Sequence, residues 1–373
     1  MSQYISQTPK QYGIRHFRAG DRGQLLALHD EVFGHGWGPE WFEWKYERNP
    51  YVDHVSIIVA TRDDRIVGCR AFFALEMRVG DVTRVGLQPC DTMVHPDHRR
   101  QGLFSRMNER ALEYYADRRP DFFFNFPNEH SKRGNLKHGW QEVRTVPMYY
   151  RLHNPAPLVE RWIETGRSKA VATEYVDVTE AVSAIATVLA RSASQSERWL
   201  ANSSAGDVRI ERYETPPDEL LASVHDRRSD SIHANRSAEF YRWRLDNPLY
   251  EYGTYVARRD GTAVAALVVS CVDGCVRIVE VEPREFDVSR TAIEHLLRSV
   301  VAEYSDRSYV TAFGIGVPNP VRNRFYPDTR LPLSLFANPT SRTLLARDIG
   351  DATVVEESSP SDWRFTRLDL DTT

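Results

Sequence analysis

The stretch VHPDHRRQGLFSRM, residues 94–107, combines three features that decide how this chain is interpreted. An apolar segment ends at Val94, two arginines follow, and Gly102 precedes residues whose apolar side chains recur with helical spacing. A strand, a glycine turn and a helix N-terminus suit anion binding, because the first amides of a helix have no intrahelical partner and the helix dipole adds positive charge. The stretch is therefore a candidate phosphate-binding turn.

The same pattern, taken alone, also fits an arginine-rich connection between a strand and a helix. In favour of phosphate, Gly102 lets backbone amides approach a ligand without a side chain in the way. Arg99 and Arg100 would add positive charge, and an arginine can bind phosphate through two parallel hydrogen bonds. The choice between the two interpretations depends on the rest of the chain.

The length and composition indicate a globular protein with more than one domain. At 373 residues the chain is long for a single core, and its net charge of -4 does not indicate a nucleic-acid partner. No window approaches the roughly 18 consecutive apolar residues that span a bilayer, and the N-terminal residues lack the apolar segment of a secretory signal. We therefore expect a cytoplasmic protein without a membrane partner. No grouping of cysteine and histidine has the spacing of a metal site, so we expect no metal.

An internal repeat connects the two halves of the chain. The segment that begins at Glu40, EWFEWKYERNPY, has a counterpart that begins at Glu239, EFYRWRLDNPLY. Each segment is followed by two alternating apolar runs that flank a charged turn, which is typical of a β-hairpin. The repeat predicts two copies of one domain. The aligned pairs are Trp44 with Trp243, Lys45 with Arg244, Asn49 with Asn247, Pro50 with Pro248 and Tyr51 with Tyr250.

Within the first copy, periodicity and capping signals predict a regular succession of elements. The order is strand, two helices, three strands, the glycine turn with its helix, a strand, a short helix and two final strands. The predicted ranges are strands at 14–17, 55–61, 66–74 and 87–94, and helices at 22–33, from Pro39 and at 131–137.

This order resembles the GNAT superfamily of acyl-CoA-dependent N-acyltransferases. Members carry V-x-P-x-x-[QR]-x-x-G-x-[GA] before their third helix, and Val94, Pro96, Arg99 and Gly102 match that motif. Phe104 replaces the final small residue, a departure that predicts a more crowded loop. A second family motif, N-x-x-[AS]-x-x-x-Y-x-K-x-G-F, is echoed by NEHSKRGNLKHGW at 128–140. The resemblance covers roughly residues 14–152.

The resemblance implies an α/β fold of two tandem GNAT-like domains, each with a mixed, mostly antiparallel central sheet flanked by helices. We expect an N-terminal acyl-CoA-binding domain at 12–152 and a connector with helices at 153–207. A degenerate C-terminal copy is expected at 208–350, and residues 351–373 are expected to form a polar, peripheral tail.

The resemblance also implies acetyl-CoA, or another acyl-CoA, as a co-substrate held in a V-shaped opening between the fourth and fifth strands. Backbone groups of the fourth strand would pair with the pantetheine arm, amides of the turn would hold the pyrophosphate, and the start of the next helix would border the thioester. The residues so implied are Thr92, Met93 and Val94; Arg99, Arg100, Gln101, Gly102, Leu103 and Phe104; and Asn128 and Ser131.

The catalytic residues are less well defined. Many members use a tyrosine before the K-x-G-F element as the acid that protonates the leaving thiolate, but this chain has Asn135 there. For the base that removes the amine proton, Asp91 and Glu129 are the candidates. Each also has a structural interpretation, as a strand-edge carboxylate and as a solvated loop residue. Cys90 is adjacent to Asp91, but a buried thiol is the preferred interpretation.

The second copy lacks the glycine turn. Glu280, Glu282 and Glu285 place negative charge where a pyrophosphate would bind, so we expect no CoA there. We therefore expect an N-acyltransferase that acetylates a primary amine with its N-terminal domain. The alternatives are a non-catalytic acyl-CoA sensor or scaffold and, with less support, a Fem-like aminoacyl transferase.

Overall fold

The computed structural model describes residues 12–34, 38–154, 157–158, 160, 208–225, 231–272, 274–283, 286–314, 317, 325–330, 333–335 and 342–372. Most of the predicted connector at 153–207 lies outside these residues. In the part of the chain that is described, no helix is long and apolar enough to cross a membrane.

The first half of the chain forms the succession of elements that its sequence predicts. The helices predicted at 22–33 and from Pro39 begin at those residues, and the helix after the glycine turn begins at Leu103. A π-helical turn, Glu43–Glu47, continues the second helix. The elements are β1 (Gly13–His16), α1 (Arg22–Phe33), α2 (Pro39–Phe42), β2 (Ile57–Arg62), β3 (Arg65–Val79), β4 (Val82–Val94), α3 (Leu103–Tyr115), β5 (Phe122–Asn125), α4 (Glu129–Lys137), β6 (Gln141–Thr145) and β7 (Met148–Leu152).

The second half repeats this order around a second sheet. Its longest helix follows a strand without a glycine turn, in agreement with the sequence. The elements are β8 (Val208–Tyr213), α5 (Asp218–Val224), β9 (His233–Ala234), α6 (Ala238–Arg244), β10 (Tyr252–Arg259), β11 (Thr262–Val272), β12 (Cys275–Glu282), α7 (Phe286–Glu303), β13 (Tyr309–Phe313), β14 (Tyr326–Pro327), β15 (Thr343–Asp348) and α8 (Val354–Glu357).

Each sheet is completed by a strand from the other half of the chain. The first sheet has the order β1-β2-β3-β4-β5-β15-β6, and the second has β14-β7-β13-β12-β11-β10-β8. When the second order is read backwards, its strands correspond one by one to those of the first. β15 from the second half stands in the first sheet where β7 from the first half stands in the second. Only β4–β5 and β12–β13 are parallel pairs of neighbouring strands in these orders. The chain thus folds as two mixed, mostly antiparallel sheets flanked by helices, in two tandem GNAT-like domains.

The helix after the glycine turn packs its apolar face on the first sheet. Leu103, Met107, Ala111 and Tyr115 recur at helical spacing and are all buried. They form one core cluster with apolar side chains of the sheet, among them Phe123. This packing fixes the helix N-terminus at the end of β4.

The repeated tryptophans bring the two domains together. The indole Nε1 of Trp44 donates to the carbonyl of Trp243 over 2.7 Å, and the Trp243 Nε1 donates to the carbonyl of Trp44 over 2.9 Å. Their rings stack with centroids 6.0 Å apart. Trp44 is a core residue, since its side chain is fully buried.

The expectation of a peripheral tail is wrong. Trp363, Phe365, Leu368 and Asp369 are all buried. Phe365 stacks on Phe124 of β5 at 5.5 Å, so the C-terminal segment covers one face of the first sheet. Aromatic and leucine side chains between the polar residues of this segment account for its burial, because they remove apolar surface from water.

We predict that Trp44→Phe and Trp243→Phe each lower the free energy of unfolding by about 1–3 kcal/mol more than Trp140→Phe does. The indole of Trp140 is also buried, but its nitrogen has no hydrogen-bond partner among the described residues, so it controls for lost volume alone. Urea unfolding measures the difference. Equal losses in all three variants would show that the reciprocal hydrogen bonds contribute nothing.

Candidate active site

The glycine turn between β4 and α3 leaves backbone amides available. Arg100 and Gly102 both have positive φ angles, of 60° and 71°. The first backbone bond of α3 runs from Arg106 N to the Gly102 carbonyl, and no side chain caps the helix. The amides before Arg106 therefore have no partner within the helix, as the phosphate interpretation requires.

The space at the turn is open to a ligand. A Cβ atom built on Gly102 would meet no atom within 4 Å. Arg99, Arg100, Gln101 and Gly102 are exposed. The Nε of Arg99 donates to the Val94 carbonyl over 3.2 Å, so this side chain also ties the turn to the end of β4.

The expected opening between the fourth and fifth strands is present. β4 pairs with β5 only through Gly86 and Leu87, and the edge of β4 beyond Leu87 has no ladder to β5. Asp91 has a φ angle of 41°, and the register of β4 on β3 shifts at this position, which marks a bulge. The segment Thr92, Met93 and Val94 follows the bulge along the free edge, where an extended ligand can pair with its backbone.

The start of α4 lies on the other side of the opening. Asn128 is the N-cap of this helix, and its Oδ1 accepts a hydrogen bond of 2.9 Å from the Ser131 amide. Asn128 is exposed and Ser131 is half-buried. The side chain of Glu129 lies outside the described part of the chain, so its predicted role stays a prediction.

Phe104 does not crowd the turn, contrary to the expectation. Its ring turns toward α4, where a Cβ atom on Gly134 would lie 2.6 Å from the ring. The guanidinium carbon of Arg70 lies 4.8 Å from the ring centroid on another side. A glycine at position 134 is therefore what allows a phenylalanine at position 104.

Arg70 and Asn135 form a buried polar pair on the α3 and α4 face of the sheet. Arg70 Nη2 donates to Asn135 Oδ1 over 3.2 Å, and both residues are almost fully buried. Burial lowers the pKa of the Arg70 guanidinium to about 10. Asn135 thus occupies the position of the expected tyrosine without offering a phenol.

Asp91 belongs to an ion cluster on the opposite face. Its Oδ2 accepts from Lys45 Nζ over 2.7 Å and from the Tyr46 hydroxyl over 2.5 Å. Burial alone would raise the pKa of this carboxyl, but Lys45 and Tyr46 outweigh it and hold the pKa below its ordinary value. A carboxylate so stabilised is a weak base.

The C-terminal segment contributes a second carboxylate to this cluster. Asp371 Oδ2 lies 3.4 Å from Lys45 Nζ, and the Asp371 amide donates to Gln88 Oε1 over 2.5 Å. Gln88 is the first residue of β4 beyond its pairs with β5, so Asp371 lies beside the opening. Burial raises the pKa of Asp371, and the negative charge of Asp91 raises it further. Together these effects outweigh Lys45, which lowers the pKa. Sequence reasoning missed Asp371 and Lys45, because nothing local relates residue 371 to β4.

The cysteine beside the cluster is not an activated nucleophile. Burial raises the pKa of the Cys90 thiol well above its ordinary value despite Lys45 nearby. Its Sγ lies 3.3 Å from the Tyr46 hydroxyl. The predicted interpretation of Cys90 as a buried thiol is confirmed.

The corresponding place in the second domain is filled by an ion cluster. Glu280 and Glu282 do not face a phosphate position as expected, but are buried in β12. Arg236 Nε donates to Glu280 over 2.5 Å, and its terminal nitrogens donate to both carboxylate oxygens of Asp369. His225 Nδ1 lies 2.9 Å from Glu282. Glu285 lies outside the described residues.

Comparisons with known proteins agree with this geometry. A family model described as "Acetyltransferase (GNAT) domain" matches residues 13–141. The fold is similar to a probable N-acyltransferase from Enterococcus faecalis (TM-score 0.61, 12% identity, 93% of this chain and 74% of that one). It is also similar to a GCN5-related N-acetyltransferase from Anabaena variabilis (TM-score 0.57, 10% identity, 90% of this chain and 72% of that one). A third similar structure is a tandem GNAT protein from the clavulanic acid biosynthesis pathway (TM-score 0.51, 11% identity, 91% of this chain and 99% of that one). No curated protein sequence matches.

Residues 13–141 thus match the family model of a GNAT acetyltransferase domain, and the second sheet belongs to a tandem domain of the same fold. The family model ends before β7, the strand that the first half contributes to the second sheet.

We predict that Lys45→Met destabilises the protein more strongly as the pH rises from about 4 to about 7. In the wild type, the depressed pKa of Asp91 gives stability that is present above the unfolded pKa of about 3.9 and is lost below it. Without Lys45 two buried carboxylates face each other, so their pKa values rise above the unfolded value and ionisation favours unfolding.

The control is Lys132→Met, which removes a half-buried lysine from its pair with the exposed Glu142. We expect it to cost less than about 1 kcal/mol with no pH dependence in this range. Thermal unfolding of both variants across the range measures the effect. A pH-independent loss in Lys45→Met would contradict the ion cluster.

Proposed function

We propose that the N-terminal domain binds acetyl-CoA, or a related acyl-CoA, and transfers the acyl group to a primary amine. The observation that carries the proposal is the turn at 99–104, whose unpartnered amides lie at the end of a strand that separates from its neighbour. A GNAT acetyltransferase domain matched over the same residues supports it. The acceptor is an amine-bearing substrate.

In this proposal the amides of residues 100–104 hold the pyrophosphate, and Arg99 and Arg100 add positive charge around it. The free edge of β4 from Thr92 to Val94 pairs with the amides of the pantetheine arm. Asn128 and Ser131 border the cofactor at the start of α4. The thioester then lies near the bulge at Asp91.

The attack needs a neutral amine, so a base must accept its proton. Asp371 suits this role better than Asp91, because its pKa is raised whereas that of Asp91 is lowered. We propose that Asp371 accepts the proton directly or through water, while Asp91 holds Lys45 in place. Glu129 is the remaining candidate.

The second domain, in this proposal, binds no CoA. Supporting this, Arg236 pairs with Glu280 and Asp369 in a buried ion cluster at the place where the first domain has its opening. A non-catalytic acyl-CoA sensor is the second candidate function, favoured by Asn135 at the expected acid position. The expected cytoplasmic location stays a prediction.

We predict that Arg99→Glu combined with Gly102→Asp abolishes the thermal stabilisation that acetyl-CoA gives the wild type. The substitutions put negative charge beside the pyrophosphate and a side chain on a backbone of positive φ. A ligand at 100 times its Kd stabilises by about 2.7 kcal/mol, which a thermal shift readily detects.

The matched control is Arg110→Glu with Gly80→Asp. Arg110 is an exposed residue of α3, and Gly80 also has a positive φ and open space around it, but lies in the β3–β4 turn. This variant should keep the full shift. An absent shift in the wild type would contradict acyl-CoA binding, and a shift without thiol release over a panel of amines would favour the sensor.

We predict that Asp371→Asn lowers turnover by about 10²-fold or more with an amine acceptor found on that panel. Wild-type turnover should fall as the pH drops through the raised pKa of Asp371, and the variant should lack this limb. The control, Asp351→Asn, changes an exposed residue of the same segment and should leave the profile unchanged. An Asp371→Asn profile that matches the wild type would assign the base elsewhere.

A further inference from the structure

Arg70 is a buried cation that no carboxylate among the described residues compensates. Its side chain is about 1% exposed, and its only hydrogen bond among the described residues goes to the neutral amide of Asn135. The Nε of Arg70 and the Nδ2 of Asn135 are buried donors that have no acceptor in the described part of the chain. Two aromatic rings, of Phe72 and Phe104, flank the guanidinium.

A buried cation of this kind destabilises the fold unless a bound ligand compensates its charge. A charged group removed from water without an ion partner loses several kcal/mol of solvation, and each unsatisfied buried donor adds to the loss. The buried cations of the neighbouring clusters do have carboxylates, since Lys45 contacts Asp91 and Asp371, and Arg236 contacts Glu280 and Asp369. Arg70 differs from Lys45 and Arg236 because it contacts no carboxylate among the described residues, so its charge is available to a bound anion.

The position of Arg70 indicates which part of the cofactor lies near it. On β3 it lies opposite the bulge of β4, where the register skips between Cys69 and Ala71. Its guanidinium reaches across the face of β4 to Asn135 on α4, on the far side of the opening. The pyrophosphate turn starts after Val94, further along β4, so the bulge corresponds to the thioester end of a cofactor lying along this edge.

We propose that Arg70, together with the amide of Asn135, supplies the positive electrostatic potential that stabilises the CoA thiolate as it leaves the acyl group. The inference rests on the proposed function and deepens it, because it identifies what replaces the missing phenol. The effect acts through the field of a fixed charge in a water-poor environment and needs no proton donor.

The reaction balances without an acid. The amine nitrogen forms a bond to the thioester carbonyl carbon, the carbon–sulfur bond breaks, and its electron pair stays on sulfur as a thiolate. The amine proton goes to the base or to water. The thiolate then leaves as such or takes a proton from solvent.

The neighbouring titratable groups that the structure describes do not cancel the charge of Arg70. Burial raises the pKa of the Cys90 thiol, which therefore stays neutral. Burial lowers the pKa of His138 at the end of α4, and Arg70 and Arg347 are among the charges that lower it further. Glu109, a carboxylate that acts on His138, does not contact Arg70.

The test compares the affinities of CoA and desulfo-CoA between about pH 6 and about pH 9. A free thiol has a pKa of about 8.5, and a nearby opposite charge lowers such a value by about 1–3 units. Above the pKa of its bound thiol, CoA binds as the thiolate. The ratio of its affinity to that of desulfo-CoA should therefore rise with pH, by about tenfold for each unit by which binding lowers the pKa of the thiol. We expect this rise in the wild type and in Arg70→Lys, and its loss in Arg70→Met.

Desulfo-CoA separates this inference from the proposed function. It should bind the wild type and Arg70→Met with Kd values within about threefold of each other. The control Arg367→Met removes another arginine whose pKa burial lowers to about 10, next to Met148 in the second sheet, and should behave as the wild type.

Three results would overturn the inference. The first is a wild-type affinity ratio that does not change with pH, which decides the question even if Arg70→Met does not fold. The second is an unchanged pH dependence in Arg70→Met. The third is a tenfold loss of desulfo-CoA affinity in Arg70→Met, which would assign Arg70 to the pyrophosphate. Failure of desulfo-CoA to bind the wild type would instead contradict the proposed function on which the inference rests.

Discussion

Trp44 and Trp243 each donate an indole hydrogen bond to the other's backbone carbonyl, and the rest of the structure depends on this reciprocal contact. It aligns the two copies so that each is placed to give its last strand to the other's sheet. β15 can then fill the place between β5 and β6, while β7 pairs with β13. Neither half has a complete sheet of its own, which explains why a copy without a phosphate turn is still needed.

The same arrangement carries the C-terminal segment across the domain boundary. Arg244, the counterpart of Lys45, donates to the carbonyls of Leu368 and Leu370, while Arg236 holds Asp369 through both carboxylate oxygens. One residue beyond Leu370, Asp371 reaches Lys45 in the first domain. The two equivalent cations of the repeat therefore have different contacts. Lys45 binds Asp91 on the strand that borders the opening, and Arg244 binds the backbone just before Asp371.

Local sequence predicted the features that local physics controls. The helix at 22–33, the turn at Gly102 and the equivalence of Trp44 and Trp243 follow from periodicity, glycine conformation and the internal repeat. The strand exchange did not follow, because the short sequences of β7 and β15 carry no signal of which sheet they join. The burial of the segment 363–370 and the role of Asp371 were missed for a related reason, since their partners in the first domain are more than 100 residues away in sequence. Glu280 and Glu282 were misread because Arg236 carries no signal that it pairs with them.

Backbone amide hydrogen exchange with and without acetyl-CoA tests the central claim, that the N-terminal copy alone holds the cofactor at its glycine turn. The account predicts that acetyl-CoA slows exchange at residues 100–104 and along the β4 edge from Thr92 to Val94. It predicts no change in β12 and α7, the corresponding elements of the second domain. Protection confined to the second domain, or protection that leaves residues 100–104 unchanged, would contradict it.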